Sequence, residues 1–96
     1  MITMMPTREN LINVFKTAKQ KNHRYIGILI QMEGFPQPEV IINRQENFDT
    51  KLQYYLNTYD ENLIHKFAKG IRIIGVTSQD WFSEIEFDFD FDVDEE

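Results

Sequence analysis

The sequence predicts an α+β fold: a small single domain with a mostly antiparallel sheet of roughly three to five strands, covered on one face by two or three helices. Three observations carry this. Two stretches repeat apolar residues at helical spacing. Isoleucine-rich extended runs flank a turn dense in Gly and Pro, and another follows Gly70. The chain has 96 residues with 42% hydrophobic content, which fits one domain with a thin core.

Taken in order, Pro6 precedes Thr7, a good helix N-cap, and Leu11, Ile12, Phe15 and Ala18 then recur on one helical face. Lys16, Lys19 and Lys21 fall where cations suit a helix C-terminus, so a helix is expected over 8–21. Residues 24–32 (RYIGILIQM) read as a strand, with Gly27 marking a bulge or a close backbone approach. The run 34–38 (GFPQP) is turn-like and 39–43 (EVIIN) is a second strand, making 24–43 a hairpin. Asn47 opens a second helix over 48–59, with Phe48, Leu52, Tyr55, Leu56 and Tyr59 on one stripe. Residues 63–67 fit a short strand and a helical turn equally. Ile71–Thr77 (IRIIGVT) is the clearest later strand, and Ser78 is a candidate cap for a short helix carrying Trp81, Phe82 and Ile85.

The C-terminus departs from this ordinary pattern. From Glu84 to Asp94 acids and apolar residues alternate without a break. In an extended chain that period of two places all carboxylates on one side and all large apolar groups on the other. Helix is therefore expected only to about Ser83, with residues 1–83 forming the α+β domain and 84–96 an acidic–aromatic segment, as a strand or a tail. As the inner face of a terminal strand, each buried Phe would contribute ~1.5–3 kcal/mol.

Composition excludes much chemistry. With no Cys there is no disulfide framework, thiolate nucleophile or Cys-ligated metal. The two histidines, His23 and His65, accompany no nucleophile elbow, and the four glycines match no phosphate-binding loop. Both histidines fit structural or surface roles. Asp88, Asp90, Asp92 and Asp94 resemble a calcium loop in spacing, but the intervening Phe residues and the missing Gly argue against one. No catalytic residue, metal or cofactor is expected, and the chain reads as a non-enzyme. Met1–Pro6 is too short for a signal peptide, and no apolar run approaches the ~20 residues of a membrane span, which points to the cytoplasm.

Charge is distributed unevenly. All ten Lys and Arg lie between Arg8 and Arg72; with seven acids, residues 1–79 carry +3. Nine acids and no cation give residues 80–96 a charge of -9. Such a segment seeks a basic surface. Asp88, Phe89, Asp90, Phe91, Asp92 and Asp94 are accordingly the protein-binding candidates, the Phe residues as anchors and the acids as steering groups. Alternate carboxylates on a strand repeat every ~6.7 Å, close to twice the ~3.4 Å phosphate rise of DNA, so the row is also a candidate phosphate mimic. The alternative is a weak nucleic-acid-binding module using Lys16, Lys19, Lys21, Arg24 and Tyr25, masked by the tail. The sequence pI near 4.8 disfavours direct nucleic-acid binding. Tyr54, Tyr55 and Tyr59 fit either a stacking platform or the edge of a core helix. Pairing of tail strands leaves a homodimer open.

The stretch 34–63, with Pro38 to Asn43, the Asn47-Phe48 helix start and Tyr54, Tyr55 and Tyr59, followed by Lys69-Gly70-Ile71, resembles small uncharacterised proteins encoded by phages, prophages and conjugative elements of low-GC Gram-positive bacteria. The resemblance covers about residues 24–86 and omits the Phe–Asp tail. Such proteins bring no assigned activity, so no site residue is carried over. The resemblance implies a context: accessory proteins of mobile elements that bind and modulate host or defence proteins, inside the host cytoplasm. The expectation is thus a protein-binding accessory factor, an inhibitor candidate for a nucleic-acid-processing enzyme.

Overall fold

The computed structural model describes residues 6–89. Three helices, α1 (Arg8–Lys21), α2 (Phe48–Thr58) and α3 (Phe82–Phe89), accompany three strands, β1 (Tyr25–Met32), β2 (Glu39–Arg44) and β3 (Ile71–Gln79). The strands form one antiparallel sheet in the order β2-β1-β3. This is the small α+β domain the sequence predicts.

Local chemistry explains the helix ends. Thr7 Oγ1 accepts the Asn10 N–H while Asn10 Oδ1 accepts the Thr7 N–H, a reciprocal capping box. Asn22 ends α1 in the left-handed conformation, φ 57°, with its N–H returned to Ala18 and Lys19. Asn47 precedes α2 but makes no side-chain cap there, and a single 3-10 turn (Gln45–Asn47) feeds into the helix instead.

The two faces of the sheet bury different partners. On the first, Ile26, Ile28 and Ile30 of β1 and Ile73 of β3 meet Leu11, Phe15 and Ala18 of α1 and Phe48 and Tyr55 of α2. Phe15 packs edge-on against Phe48, with ring centroids 5.8 Å apart. Asn43 is a buried polar side chain on this side: it donates from Nδ2 to the Ile26 carbonyl at 3.1 Å and accepts the Tyr55 hydroxyl at 3.0 Å. Both lone polar ends are thereby satisfied, as burial requires. Arg8 Nη1 donates to the Leu56 carbonyl at 2.9 Å and ties the start of α1 to the end of α2.

On the second face lie Tyr25, Gly27 and Leu29, beside Thr77 and Gly75 of β3. There α3 packs. The sheet is therefore covered on both faces, not on one as the element order suggested.

The register of β1 against β3 shifts once. Leu29 pairs with Gly75 and Ile30 with Ile73, so Ile74 is an extra residue. The bulge lies there; Gly27 instead marks a close approach. Between α2 and β3, the ambiguous 63–67 stretch makes two isolated bridges, Tyr59–His65 and Ile64–Arg72. Asp60 Oδ1 accepts the N–H groups of Asn62 and Ile64, and His65 Nδ1 accepts those of Phe67 and Ala68. His65 thus organises a turn. Among the described residues no helix is long and apolar enough to cross a membrane.

Candidate protein-binding surface

The acidic–aromatic segment begins as a helix. Residues 82–89 form α3, which corrects the expectation of extended chain after Ser83; Ser78 lies within β3 and caps nothing. Residues 90–96, with Asp90, Phe91, Asp92 and Asp94, lie outside the described residues.

The reason for the helix is a trough in the second sheet face. A Cβ built on Gly27 would meet Ile85 Cγ2 at 2.7 Å, and one on Gly75 would meet Phe89 Cε1 at 2.9 Å. Two adjacent strands thus omit side chains where two apolar groups one helical turn apart arrive. Ile85 is fully buried and Phe89 half-buried. Seating such side chains is worth ~1.5–3 kcal/mol each. The like-charged Glu84 and Asp88, four residues apart on the helix, oppose it by only ~0.2–0.5 kcal/mol. Packing wins over the alternating pattern.

Asp88 is held on β3. Its Oδ2 accepts from Thr77 Oγ1 at 2.6 Å and from Gln79 Nε2 at 2.8 Å. At the other end of α3, Phe82 packs on Tyr25 with centroids 4.7 Å apart. Asp80 Oδ1 accepts the Arg24 N–H, and the Arg24 guanidinium lies 5.3 Å from the Trp81 ring.

Helical geometry, at roughly 100° per residue, mixes the two faces expected from the strand: Phe89 stays inward while Phe87 and Asp88 exchange sides. Asp88 and Phe89 are engaged with the sheet, whereas Phe87 points outward and is 86% exposed. Trp81, 59% exposed, stands at the helix start. Over 84–89 the evenly spaced row of carboxylates does not form, because the acids are distributed around the helix.

The basic candidates diverge. Lys16 is exposed on α1; Lys19 pairs with Asp49 of the α2 first turn at 2.7 Å; Lys21 faces the opposite flank of α1, along β3. Arg24 covers Trp81, and Tyr25 lies beneath Phe82 on the sheet face away from α1. The five residues therefore reach several surfaces and form no single patch. The tyrosine platform is likewise divided. Tyr55 and Tyr59 are buried in the core, where loss of hydration pushes both phenols up to about 12. Only Tyr54 is exposed, with Lys51 Nζ 5.6 Å from its ring centroid.

His23 Nδ1 is 2.8 Å from Ser78 Oγ, at the junction of α1 and β3. Among the described residues no three acidic or imidazole side chains converge as a metal site would need. The protein-binding candidates read from the sequence begin at Asp88 and so leave out Phe87, Trp81 and the outer edge of β3. The signal for α3 was present in Gly27 and Gly75, two side-chain-free positions near a helix-compatible Ile85/Phe89 spacing.

Compared with protein-family models, curated proteins and solved structures, the chain matches none.

Proposed function

We propose that this chain is a non-enzymatic accessory protein that binds another protein through α3 and the acidic segment that continues from it. The observation that carries the reading is Phe87: a large aromatic side chain, almost fully exposed, on a helix of eight residues that also carries Glu84, Glu86 and Asp88. An exposed anchor next to concentrated charge is the composition of a recognition surface, in which the aromatic group gives affinity and the charge steers association.

A partner with a basic surface suits the nine carboxylates of residues 80–96. A nucleic-acid-processing enzyme, inhibited by occupation of its phosphate-binding cleft, is the class this reading favours. It carries with it a cytoplasmic location, in the host cell where the chain is phage-encoded. Direct nucleic-acid binding through Lys16, Lys19, Lys21, Arg24 and Tyr25 is the weaker reading, since those side chains do not share a surface.

The test is capture from host lysate with the intact chain, Phe87→Ser, and Asp90→Asn/Asp92→Asn/Asp94→Asn. Removing α3 as a whole would uncover Gly27 and Gly75, so point variants are the cleaner probes. The reading expects one protein captured by the intact chain and lost with both variants while their melting curves stay unchanged. Equal capture by all three chains would refute it.

A further inference from the structure

Among the described residues, the outer edge of β3 is open where a strand would fit. Leu63 and His65 cover its beginning: Ile73 donates its N–H to the Leu63 carbonyl, and His65 donates to the Ile71 carbonyl, each at 2.9 Å. Beyond them, among the described residues, no strand lies beside Ile74 to Gln79. Since the backbone N–H of Ile73 points to the outer edge while its side chain is in the core, the alternation of an antiparallel ladder, carried past the extra residue Ile74, turns the backbone groups of Val76 and Ser78 outward as well. Unpaired edges of this kind are usually blunted by Lys, Pro or a covering element. Residues 74–79 (IGVTSQ) contain neither residue type.

The edge also lies at the bottom of a cleft. A cavity of about 860 Å³ wraps it, with Asn10 and Val14 of α1 on one side and Asp88 and Phe89 of α3 on the other. A strand placed there would add its backbone to β3 with a helix on each flank. Charge then selects among strands. Both hydrogen bonds to Asp88 end on Oδ2, so Oδ1 has no partner among the described residues, and Asp88 lines the cleft together with Thr77. A second copy of β3, paired across a two-fold near Thr77, would bring two Asp88 carboxylates together, which disfavours self-pairing.

We propose that the edge of β3 from Ile74 to Gln79 takes up an extended, basic segment of a partner protein as a fourth strand, in the cleft between α1 and α3, with a cationic side chain on Asp88. This rests on the protein-binding reading above and names how the partner is held: main-chain bonds to Val76 and Ser78 give affinity, and Asp88 gives the preference for lysine or arginine.

The probe is a labelled ten-residue peptide alternating lysine and valine, with its glutamate–valine counterpart as control, titrated against the full chain by fluorescence anisotropy. The lysine peptide is expected to bind at least about tenfold more tightly than the control and to slow amide exchange at Val76 and Ser78 by about tenfold or more. Asp88→Asn, which keeps the acceptor for Thr77, should reduce affinity about five- to tenfold. Val76→Pro, which removes one outward N–H, should abolish the added protection. Equal binding of both peptides, or protection elsewhere, would overturn the proposal. So would amides at 74–79 that are already protected in the free chain, whether by a dimer seen in light scattering or by the chain itself. Phe87→Ser separates the two readings: it should leave peptide binding intact. If edge protection is absent while Phe87→Ser still loses the captured partner, strand addition fails and the broader reading survives.

Discussion

Gly27 of β1 touches Ile85 of α3 so closely that no side chain fits between them: an added Cβ would lie 2.7 Å from Ile85 Cγ2. That contact makes the acidic–aromatic segment part of the fold as far as Phe89. It also gives the first prediction. Gly27→Ala should destabilise the domain by about 1–3 kcal/mol through overpacking. For a chain of this size that lowers Tm by roughly 4–8 °C per kcal/mol. Gly75→Ala, opposed by Phe89 Cε1 at 2.9 Å, should act in the same direction. Thermal melts followed through Trp81 fluorescence would test both, and an unchanged Tm would place α3 away from the sheet.

Phe87 and Phe89 should behave oppositely although two residues apart. Phe87→Ser removes an 86%-exposed ring and should change stability by less than about 0.5 kcal/mol. Phe89→Ser empties the trough over Gly75 and should cost about 2–3 kcal/mol. Urea denaturation of the two variants distinguishes the helix from a strand, in which both rings would share one face and one cost.

The buried tyrosines predict an alkaline limit. Tyr55 and Tyr59 are both raised from 10.0 to about 12, first by loss of hydration on burial. In the unfolded chain they ionise near 10, while the folded chain retains their protons. The stabilisation is therefore fully present below pH 10 and declines as pH rises through 10 toward 12. The slope should approach about 1.4 kcal/mol per pH unit for each tyrosine. Denaturation midpoints between pH 8 and 11.5 would show the decline. Tyr59→Phe should flatten it; a flat profile in the unaltered chain would contradict the assignment.

Tyr55→Phe carries a second consequence, because its hydroxyl satisfies Asn43 Oδ1 at 3.0 Å. Leaving that buried oxygen unpaired should cost about 1–3 kcal/mol near neutral pH. A double-mutant cycle with Asn43→Leu should recover part of the loss, and strict additivity would show that the two groups do not interact.

Arg72 offers the converse case. Its Nε is buried with no acceptor among the described residues. Arg72→Met removes that unmet donor while keeping much of the apolar stem, and should leave Tm unchanged or raise it, by up to about 1 kcal/mol of stability. A clear fall in Tm would reveal a partner for this guanidinium.

Much of the body was legible in the chain. Thr7 with Leu11, Phe15 and Ala18 specified α1, and the Ile-rich runs around Pro36 and Pro38 specified the hairpin, because capping and periodicity are local properties. The short stretch 63–67 was ambiguous for the same reason: its geometry depends on Asp60, His65 and the edge of β3, which no periodicity encodes. Asn47 looked like a cap, yet a 3-10 turn supplies the helix start without its side chain.

The C-terminal segment shows where local reading ends. By itself the sequence determined its composition, its charge of -9 over residues 80–96, and an alternation that favours an extended chain when considered alone. Tertiary structure decided its conformation up to Phe89. Gly27 and Gly75, distant in sequence, meet on one sheet face and offer a trough that only Ile85 and Phe89 on a helix can fill. Burial of those two side chains outweighs the repulsion between neighbouring carboxylates by several-fold. The same packing turned Phe87 to the solvent and set Asp88 on Thr77 and Gln79, while other contacts, Lys19 with Asp49 and Arg24 with Trp81, divide the basic residues among separate surfaces. Each of these results depends on contacts between parts of the chain that only folding brings together.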